Sequence, residues 1–262
     1  MDVNKKFVFI HIPKTGGTSL ANSLNFRPQR DHLTFKESIL CSNSKNFHRC
    51  IGSQGVTFSY FKFKDRLKFS VVRHPLERLV STYYYSFTPR NLWGDAPSPL
   101  SIEHFDIYMN NIIDKLYKGN SNYWEKSNIN EISKHSGQVA FWLAPQYHWI
   151  MNNNYDLLVD HILKLDNIEQ DSKLFADKYN FNLRKNKKLN STKHHSWQKH
   201  FTKKTKDFFT ELYKKDFEFF GFDPNYTEQN LGDWPLSGWN DCHYKVVRST
   251  EKKQARKKNI FL

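Results

Sequence analysis

The chain has 262 residues, 38% of them hydrophobic and 16% aromatic, with a formal net charge of +14. This length suits a single α/β domain with its own core, and the basic balance indicates an anionic partner: nucleic acid, an acidic glycan, anionic lipid or a nucleotide. The three cysteines give no disulfide framework and favour a reducing compartment, so we expect a cytoplasmic protein. No apolar run approaches the roughly 20 residues that span a bilayer, so we expect no transmembrane segment.

The first predicted elements are a strand at 6–12 and a helix at 18–25, joined by a glycine turn. The turn contains, after Pro13, the residues Lys14, Thr15, Gly16, Gly17, Thr18 and Ser19. Backbone N–H groups, the positive end of a helix and a lysine together make a cradle for an anion such as phosphate. The loop differs from that of nucleotide kinases, because their lysine follows the glycines and this one precedes them.

A second block begins with a predicted buried strand at 68–72 and continues in a helix at 75–87. Arg73 stands at the carboxyl end of the strand, where α/β sheets bind ligands, and Ser81 lies two turns into the helix. An arginine fork and a hydroxyl are suitable donors to phosphate oxygens. The residues alone leave an alternative open, in which Arg73 pairs with Glu77 or Asp65 and Ser81 only packs.

The remaining pattern alternates helices with a further strand, which favours a parallel sheet covered by helices. We predict helices near 34–41, at 102–117, in pieces within 136–152, near 168–179 and at 202–220, with a strand or two within 156–166.

The order of residues from Pro13 to Ser19 resembles the 5′-phosphosulfate loop of sulfotransferases that use 3′-phosphoadenosine-5′-phosphosulfate (PAPS). The closest resemblance is to carbohydrate sulfotransferases related to heparan sulfate 2-O-sulfotransferase, in sulfotransferase family 2. It implies an α/β class, with a P-loop-like sulfotransferase fold whose central parallel sheet is flanked by helices. The sulfotransferase domain would cover residues 1–224, and residues 225–262 would form a C-terminal extension with a basic tail.

The resemblance also implies the cofactor and its ligands. PAPS would donate the sulfuryl group, leaving 3′,5′-adenosine bisphosphate, and no metal would be required. The loop residues Lys14, Thr15, Gly16, Gly17, Thr18 and Ser19 would hold the 5′ end. Arg73 and Ser81 would hold the 3′-phosphate, and Ser191, in a loop that resembles the family's substrate-side loop, would add to the cofactor-binding set.

Besides groups that hold PAPS and offset the charge of the leaving oxygen, which Lys14 would do, sulfuryl transfer needs a base that takes the proton of the acceptor hydroxyl. Histidine has a suitable pKa for this base. The resemblance favours His32 with Lys14 as the catalytic pair, because many members carry a histidine between the two phosphate blocks. The chain departs from the stricter pattern, since residues 52–55 contain no histidine. His74 is the second choice, and His194 and His195 are the third.

The acceptor is expected to be a hydroxyl, of a glycan or another anionic substrate. Residues 183–206 hold nine lysines and arginines and no acid, which favours anion binding there, whereas the basic run at 243–262 is more typical of a solubilising tail. A non-catalytic nucleotide- or polyanion-binding protein is the alternative function, and a nucleotide kinase with a variant loop is a weaker one. Nucleic acid is the partner least favoured, because the basic runs belong to no recognised nucleic-acid module.

Overall fold

The computed structural model describes residues 2–3, 7–25, 66–86, 101–117, 142–151, 154–184 and 196–225. The strands in these ranges are β1 (Asp2–Val3), β2 (Phe7–Ile10), β3 (Leu67–Val72) and β4 (His161–Lys164). The α-helices are α1 (Gly17–Ser23), α2 (Pro75–Ser86), α3 (Ile102–Tyr117), α4 (Tyr147–Ile150), α5 (Ile168–Tyr179), α6 (Lys203–Leu212) and α7 (Lys214–Phe220). Short 3₁₀ turns cover Leu165–Asn167 and Trp197–Lys199.

The four strands form one sheet in the order β1-β2-β3-β4. The three longer strands are parallel, with Phe7 beside Leu67 and Phe69 beside His161. β1 adds an antiparallel edge to β2, which the sequence pattern did not predict. Because β2, β3 and β4 run in one direction, their carboxyl ends meet at one edge of the sheet.

Both faces of the sheet are buried under helices, and the strand side chains alternate between them with a period of two. Phe7, Phe9, Phe69 and Val71 pack with Leu20 of α1 and Phe175 of α5 on one face. On the other face the core contains Val8, Ile10 and Val72 with side chains from α2, α3, α6 and α7, such as Leu76, Phe105, Phe209 and Phe217. The α/β class with a central parallel sheet flanked by helices is therefore confirmed.

Most described elements agree with the predicted ones, with one clear correction. The helix predicted at 202–220 is two helices, α6 and α7, which meet at Tyr213. Tyr213 leaves helical geometry, with φ −98° and ψ 14°, and its buried hydroxyl donates a hydrogen bond to Leu143 O at 2.8 Å. The helix predicted near 34–41 lies outside the described residues. Within the described ranges, no helix has both the length and the hydropathy needed to cross a membrane.

Candidate anion-binding site

The carboxyl edge of the parallel strands gathers cationic side chains from three parts of the chain. β2 leads into the glycine loop with Lys14, and β3 is followed at once by Arg73. The third cation is Lys164, the last residue of β4, whose pairing with Val72 brings it level with the end of β3. Sequence analysis did not single out Lys164. Three cations at one edge of a sheet make this edge the candidate anion site.

The backbone of the glycine loop turns through left-handed conformations. Lys14 has φ 66° and Gly16 has φ 77°, and an L-residue such as Lys14 adopts this region only when its surroundings enforce it. Thr15 is one such restraint, because its buried hydroxyl donates to Ile12 O at 2.9 Å. This inward bond fixes the loop and points the Thr15 hydroxyl toward the protein.

The first amides that bond within α1 are those of Ser19 and Leu20, both to Gly16 O, at 3.0 and 3.2 Å. The helix itself does not need the amides that precede them, at residues 16–18. Thr18 and Ser19 are half-buried at this end of the helix. The start of α1 therefore presents N–H donors, as the sequence predicts for an anion cradle.

Both glycines are required by close packing. A Cβ at Gly16 would lie 2.5 Å from Leu165 Cδ1, just after β4, in addition to the cost of its positive φ. A Cβ at Gly17 would lie 2.9 Å from Cζ of Phe9 in β2 and 2.5 Å from Nε2 of His11 just after it, and both rings are buried. The loop therefore lies directly on the sheet, which leaves no room for a side chain beneath it.

Lys14 lies in an environment that disfavours its charge. Its Nζ is 3.7 Å from the centroid of the Tyr85 ring on α2. Burial, reinforced by the positive charge of Arg73, lowers the pKa of Lys14 to about 7. An anion between Lys14 and Arg73 would offset the repulsion between the two positive charges and favour the charged form of Lys14.

Arg73 makes contacts on two sides and keeps donors for a third. Its Nε donates to Glu77 Oε2 at 3.3 Å, and its Nη1 donates to Lys14 O at 3.4 Å. Of the five N–H donors of a guanidinium, these bonds use two, so within the described part of the chain three are left for a ligand. The pairing with Glu77 that the sequence left open is present, and it orients the guanidinium without using all its donors.

One face of α2 points toward the glycine loop. Glu77 and Tyr85 both contribute contacts there, through Arg73 and Lys14 respectively. Ser81 is four residues from each of them, on the same side of the helix, and is 6% exposed. The structure thus brings Arg73 to the backbone of Lys14, and helical spacing places Ser81 on the side of α2 that faces them.

The other residues singled out in the sequence are His74, which is described, and four residues that are not. His32, Ser191, His194 and His195 lie outside the described residues. His74 is 2% exposed and stacks on Trp197, and its Nε2 is within 3.0 Å of Asp223 O, to which it can only donate. Burial lowers the pKa of His74. Donation to a carbonyl occupies Nε2, which makes His74 a poorer candidate for a base.

Besides Lys164, two contributors to the site were missed by sequence analysis, Tyr85 and Gln146. Tyr85 covers Lys14 and stacks on Trp142, with ring centroids 5.2 Å apart. Gln146 is fully buried, and its side chain bonds the backbone of Arg73. Tyr85 could have been found from its four-residue spacing after Ser81, but no spacing signal marks Gln146. Among the described residues, no group of three or more His, Cys, Asp and Glu side chains is placed to hold a metal ion.

Comparison with known proteins gives one match. The model of a family described as the Sulfotransferase family matches residues 1–223, which is most of the chain and includes every described element. No curated protein and no solved structure matches the chain.

Proposed function

The chain belongs to the sulfotransferase family, and from this membership we propose that it transfers a sulfuryl group from PAPS to a hydroxyl of a carbohydrate. Transfer of sulfate (the EC 2.8.2 type) is what the family performs; the donor, the acceptor class and the residue roles are our proposal. The observation that carries it is the meeting of Lys14 and Arg73 at the loop on the carboxyl edge of the sheet.

The donors present fit a nucleotide with phosphate groups at both ends. Lys14 and the amides that open α1 serve the 5′ end. Arg73, with its remaining N–H donors, and Ser81 serve the 3′-phosphate. When bound, PAPS supplies an activated sulfuryl group on its 5′-phosphate. Thr15, whose hydroxyl bonds Ile12 O, contributes through its backbone.

Lys14 carries the proposed electrostatic role in catalysis. Its ammonium group offsets the negative charge that grows on the 5′-phosphate oxygen as the bond to sulfur breaks in an in-line displacement. A pKa of about 7 also allows Lys14 to hold or release a proton at physiological pH. The positive φ of Lys14 and its contact with Tyr85 hold the ammonium group in a defined direction.

His32 is the proposed general base that removes the proton of the acceptor hydroxyl. The proposal rests on the resemblance described above. The donation from His74 to Asp223 O also favours His32 over the second choice. Ser191 remains a proposed cofactor ligand on the same resemblance.

A carbohydrate is the proposed acceptor, of the heparan sulfate 2-O type or another acidic glycan. The net charge of +14 and the basic run at 183–206 support an anionic acceptor. Lys164 adds a cation at the edge of the site, with its Nζ 3.5 Å from Gly221 O.

The test is formation of 3′,5′-adenosine bisphosphate from PAPS, measured with the purified chain and a panel of glycan, phenol and lipid acceptors. We expect formation that depends on a glycan acceptor. Lys14→Ala should lower the rate by on the order of 10² or more, and His32→Ala by roughly 10² to 10⁴ with unchanged affinity for 3′,5′-adenosine bisphosphate. Lys173→Ala, an exposed lysine on α5, is the matched control and should keep its rate.

The alternative function predicts a different result. A non-catalytic binding protein would bind 3′,5′-adenosine bisphosphate yet form none from PAPS with any acceptor, which would contradict the proposal. Turnover restricted to phenols or lipids would retain sulfuryl transfer and overturn the carbohydrate acceptor. Normal turnover by His32→Ala would move the base elsewhere, with His194 and His195 as the next variants.

A further inference from the structure

The backbone of Arg73 is held by a side chain from a distant part of the sequence. The Arg73 N–H donates to Gln146 Oε1 at 2.9 Å, and Gln146 Nε2 donates to Arg73 O at 2.8 Å. A primary amide that accepts from the N–H and donates to the C=O of one residue reproduces the pairing of a neighbouring β-strand. Gln146 therefore acts at Arg73 as a single rung of a strand.

This rung lies where the sheet itself stops. The paired residues of β3 end at Ser70 on the side of β2 and at Val72 on the side of β4. Arg73 is the next residue, and β2 has by then left the sheet for the glycine loop. Arg73 lies one residue beyond the last registered pair of β3. Gln146 supplies the partner for its backbone N–H and C=O that no described strand supplies there.

The orientation of the Gln146 amide is itself determined by its neighbours. Asp216 Oδ2 accepts from the Gln146 backbone N–H at 2.7 Å and lies 3.4 Å from Nε2. Asp216 Oδ1 accepts from the next amide, that of Tyr147, at 2.9 Å. Both Gln146 and Asp216 are 0% exposed, so water does not compete for these bonds. A flipped amide would place Oε1 against the Asp216 carboxylate and Arg73 O, so only one orientation satisfies every group.

We propose that Gln146 is a positioning residue that fixes the backbone of Arg73 and thereby directs its guanidinium at the 3′-phosphate of the nucleotide. This inference rests on the role of Arg73 in the proposed function. Glu77 restrains Arg73 from the side-chain end and Gln146 from the backbone end. A guanidinium restrained at both ends loses less freedom when it binds phosphate, which favours tight and selective binding.

The experiment compares two nucleotides that differ only in the 3′-phosphate. Calorimetry measures Kd for 3′,5′-adenosine bisphosphate and for 5′-AMP. The Kd of 5′-AMP divided by the Kd of 3′,5′-adenosine bisphosphate (the Kd ratio) reports the 3′-phosphate contact alone. Gln146→Met keeps the length of the side chain and loses both bonds to Arg73. Gln146→Asn is a second variant, with an amide too short to reach both groups, for use if the methionine variant fails to fold.

Two further variants make the result specific. Arg73→Ala removes the phosphate contact directly, and we expect it to lower the Kd ratio by tenfold or more. Tyr213→Phe removes the buried bond to Leu143 O, close to Gln146, and leaves the bonds to Arg73 in place. We expect Tyr213→Phe to lower the melting temperature with an unchanged ratio. For Gln146→Met and Gln146→Asn we expect the ratio to fall about tenfold, with faster hydrogen exchange of the Arg73 amide.

The outcomes separate this inference from the function on which it rests. If Arg73→Ala lowers the ratio and the Gln146 variants do not, the positioning role is overturned and the proposed function stands. If Gln146 variants weaken both nucleotides equally, as Tyr213→Phe would at most do, Gln146 only stabilises the fold. If the parent chain does not prefer the 3′-phosphorylated nucleotide, the assignment of Arg73 and this inference fall together.

Discussion

Lys14 is a charged residue whose folded environment favours its neutral form. Its pKa falls from 10.5 to about 7 because of burial and the nearby Arg73. Between these two pH values the unfolded chain holds more protons at this residue than the folded one. The contribution of Lys14 to the free energy of unfolding therefore rises with pH across this window, and its cost is largest below pH 7. An anion bound at the loop would stabilise the charged form of Lys14 and so offset this destabilisation.

Nucleotide binding should take up a proton. At pH 8 the Lys14 of the free protein is mostly neutral, and a phosphate beside it raises its pKa. We expect uptake of on the order of one proton for each 3′,5′-adenosine bisphosphate bound, measured by calorimetry in buffers of different ionisation enthalpy. Lys14→Arg is the matched variant: it stays charged and should bind with little uptake. Equal uptake by this variant would assign the proton to another group.

At the scale of single residues, the sequence indicates where a side chain falls along an element better than how it is held. The places of Lys14 and Arg73 after strands and of Ser81 within α2 agree with the pattern, and their roles at a ligand stay predictions. The Gln146 contact could not be predicted, because a glutamine in an apolar segment has no periodicity and its partner is 73 positions away. The low pKa of Lys14 depends on burial in the folded chain, which spacing does not reveal.

At the scale of elements, hydrophobic periodicity predicted α3 at its observed bounds and placed β3, α2 and α5 within a residue or so. The break between α6 and α7 was missed because the apolar stripe continues through it. Phe209, Tyr213, Phe217 and Phe220 are all buried, so the pattern has no gap at Tyr213. The bond from Tyr213 to Leu143 O depends on tertiary structure, which a local pattern does not contain.

The junction of β2 and α1 should tolerate no side chain at Gly17. In Gly17→Ala the new methyl group overlaps the rings of His11 and Phe9, which are buried and cannot move aside. We expect a loss of about 1–3 kcal/mol in the free energy of unfolding and weaker binding of 3′,5′-adenosine bisphosphate. Urea denaturation and calorimetry measure the two effects.

Asn22→Ala is the control for this substitution, because Asn22 is an exposed residue of the same helix. It should change both quantities little. If Gly17→Ala is as stable as Asn22→Ala and binds with parental affinity, a methyl group fits at Gly17 and the predicted overlap with His11 is wrong.

At the scale of the whole molecule, the last described residues close the core. Phe222 packs against the larger core cluster, and its amide donates to Phe217 O at 3.1 Å. The next residue, Asp223, accepts the hydrogen bond from His74, which directly follows Arg73. The family match ends at residue 223 as well. These contacts support the proposal that residues 1–224 form the sulfotransferase domain and that 225–262 are an extension.

Two truncations test this boundary. A chain ended after Asn225 should unfold at the temperature of the full chain and bind 3′,5′-adenosine bisphosphate with the same Kd. A chain ended after Phe220 loses the Phe222 ring and the acceptor of His74, and should lose about 2–4 kcal/mol in the free energy of unfolding. Thermal melting and calorimetry on the three proteins decide the matter, and equal melting of both truncations would place the boundary earlier.

The connection from Asp216 through Gln146 to Arg73 has a consequence for the order of events during synthesis. Its members are separated by 70 and 73 positions along the chain. The glycine loop and the strand before Arg73 are made first, yet the support of Arg73 is complete only when residue 216 has been added. Contacts between such distant residues form slowly, because a long loop must close before they are gained. If Arg73 binds the 3′-phosphate as proposed, a growing chain acquires its preference for a 3′-phosphorylated nucleotide as one of its last properties, and that preference reports completed folding.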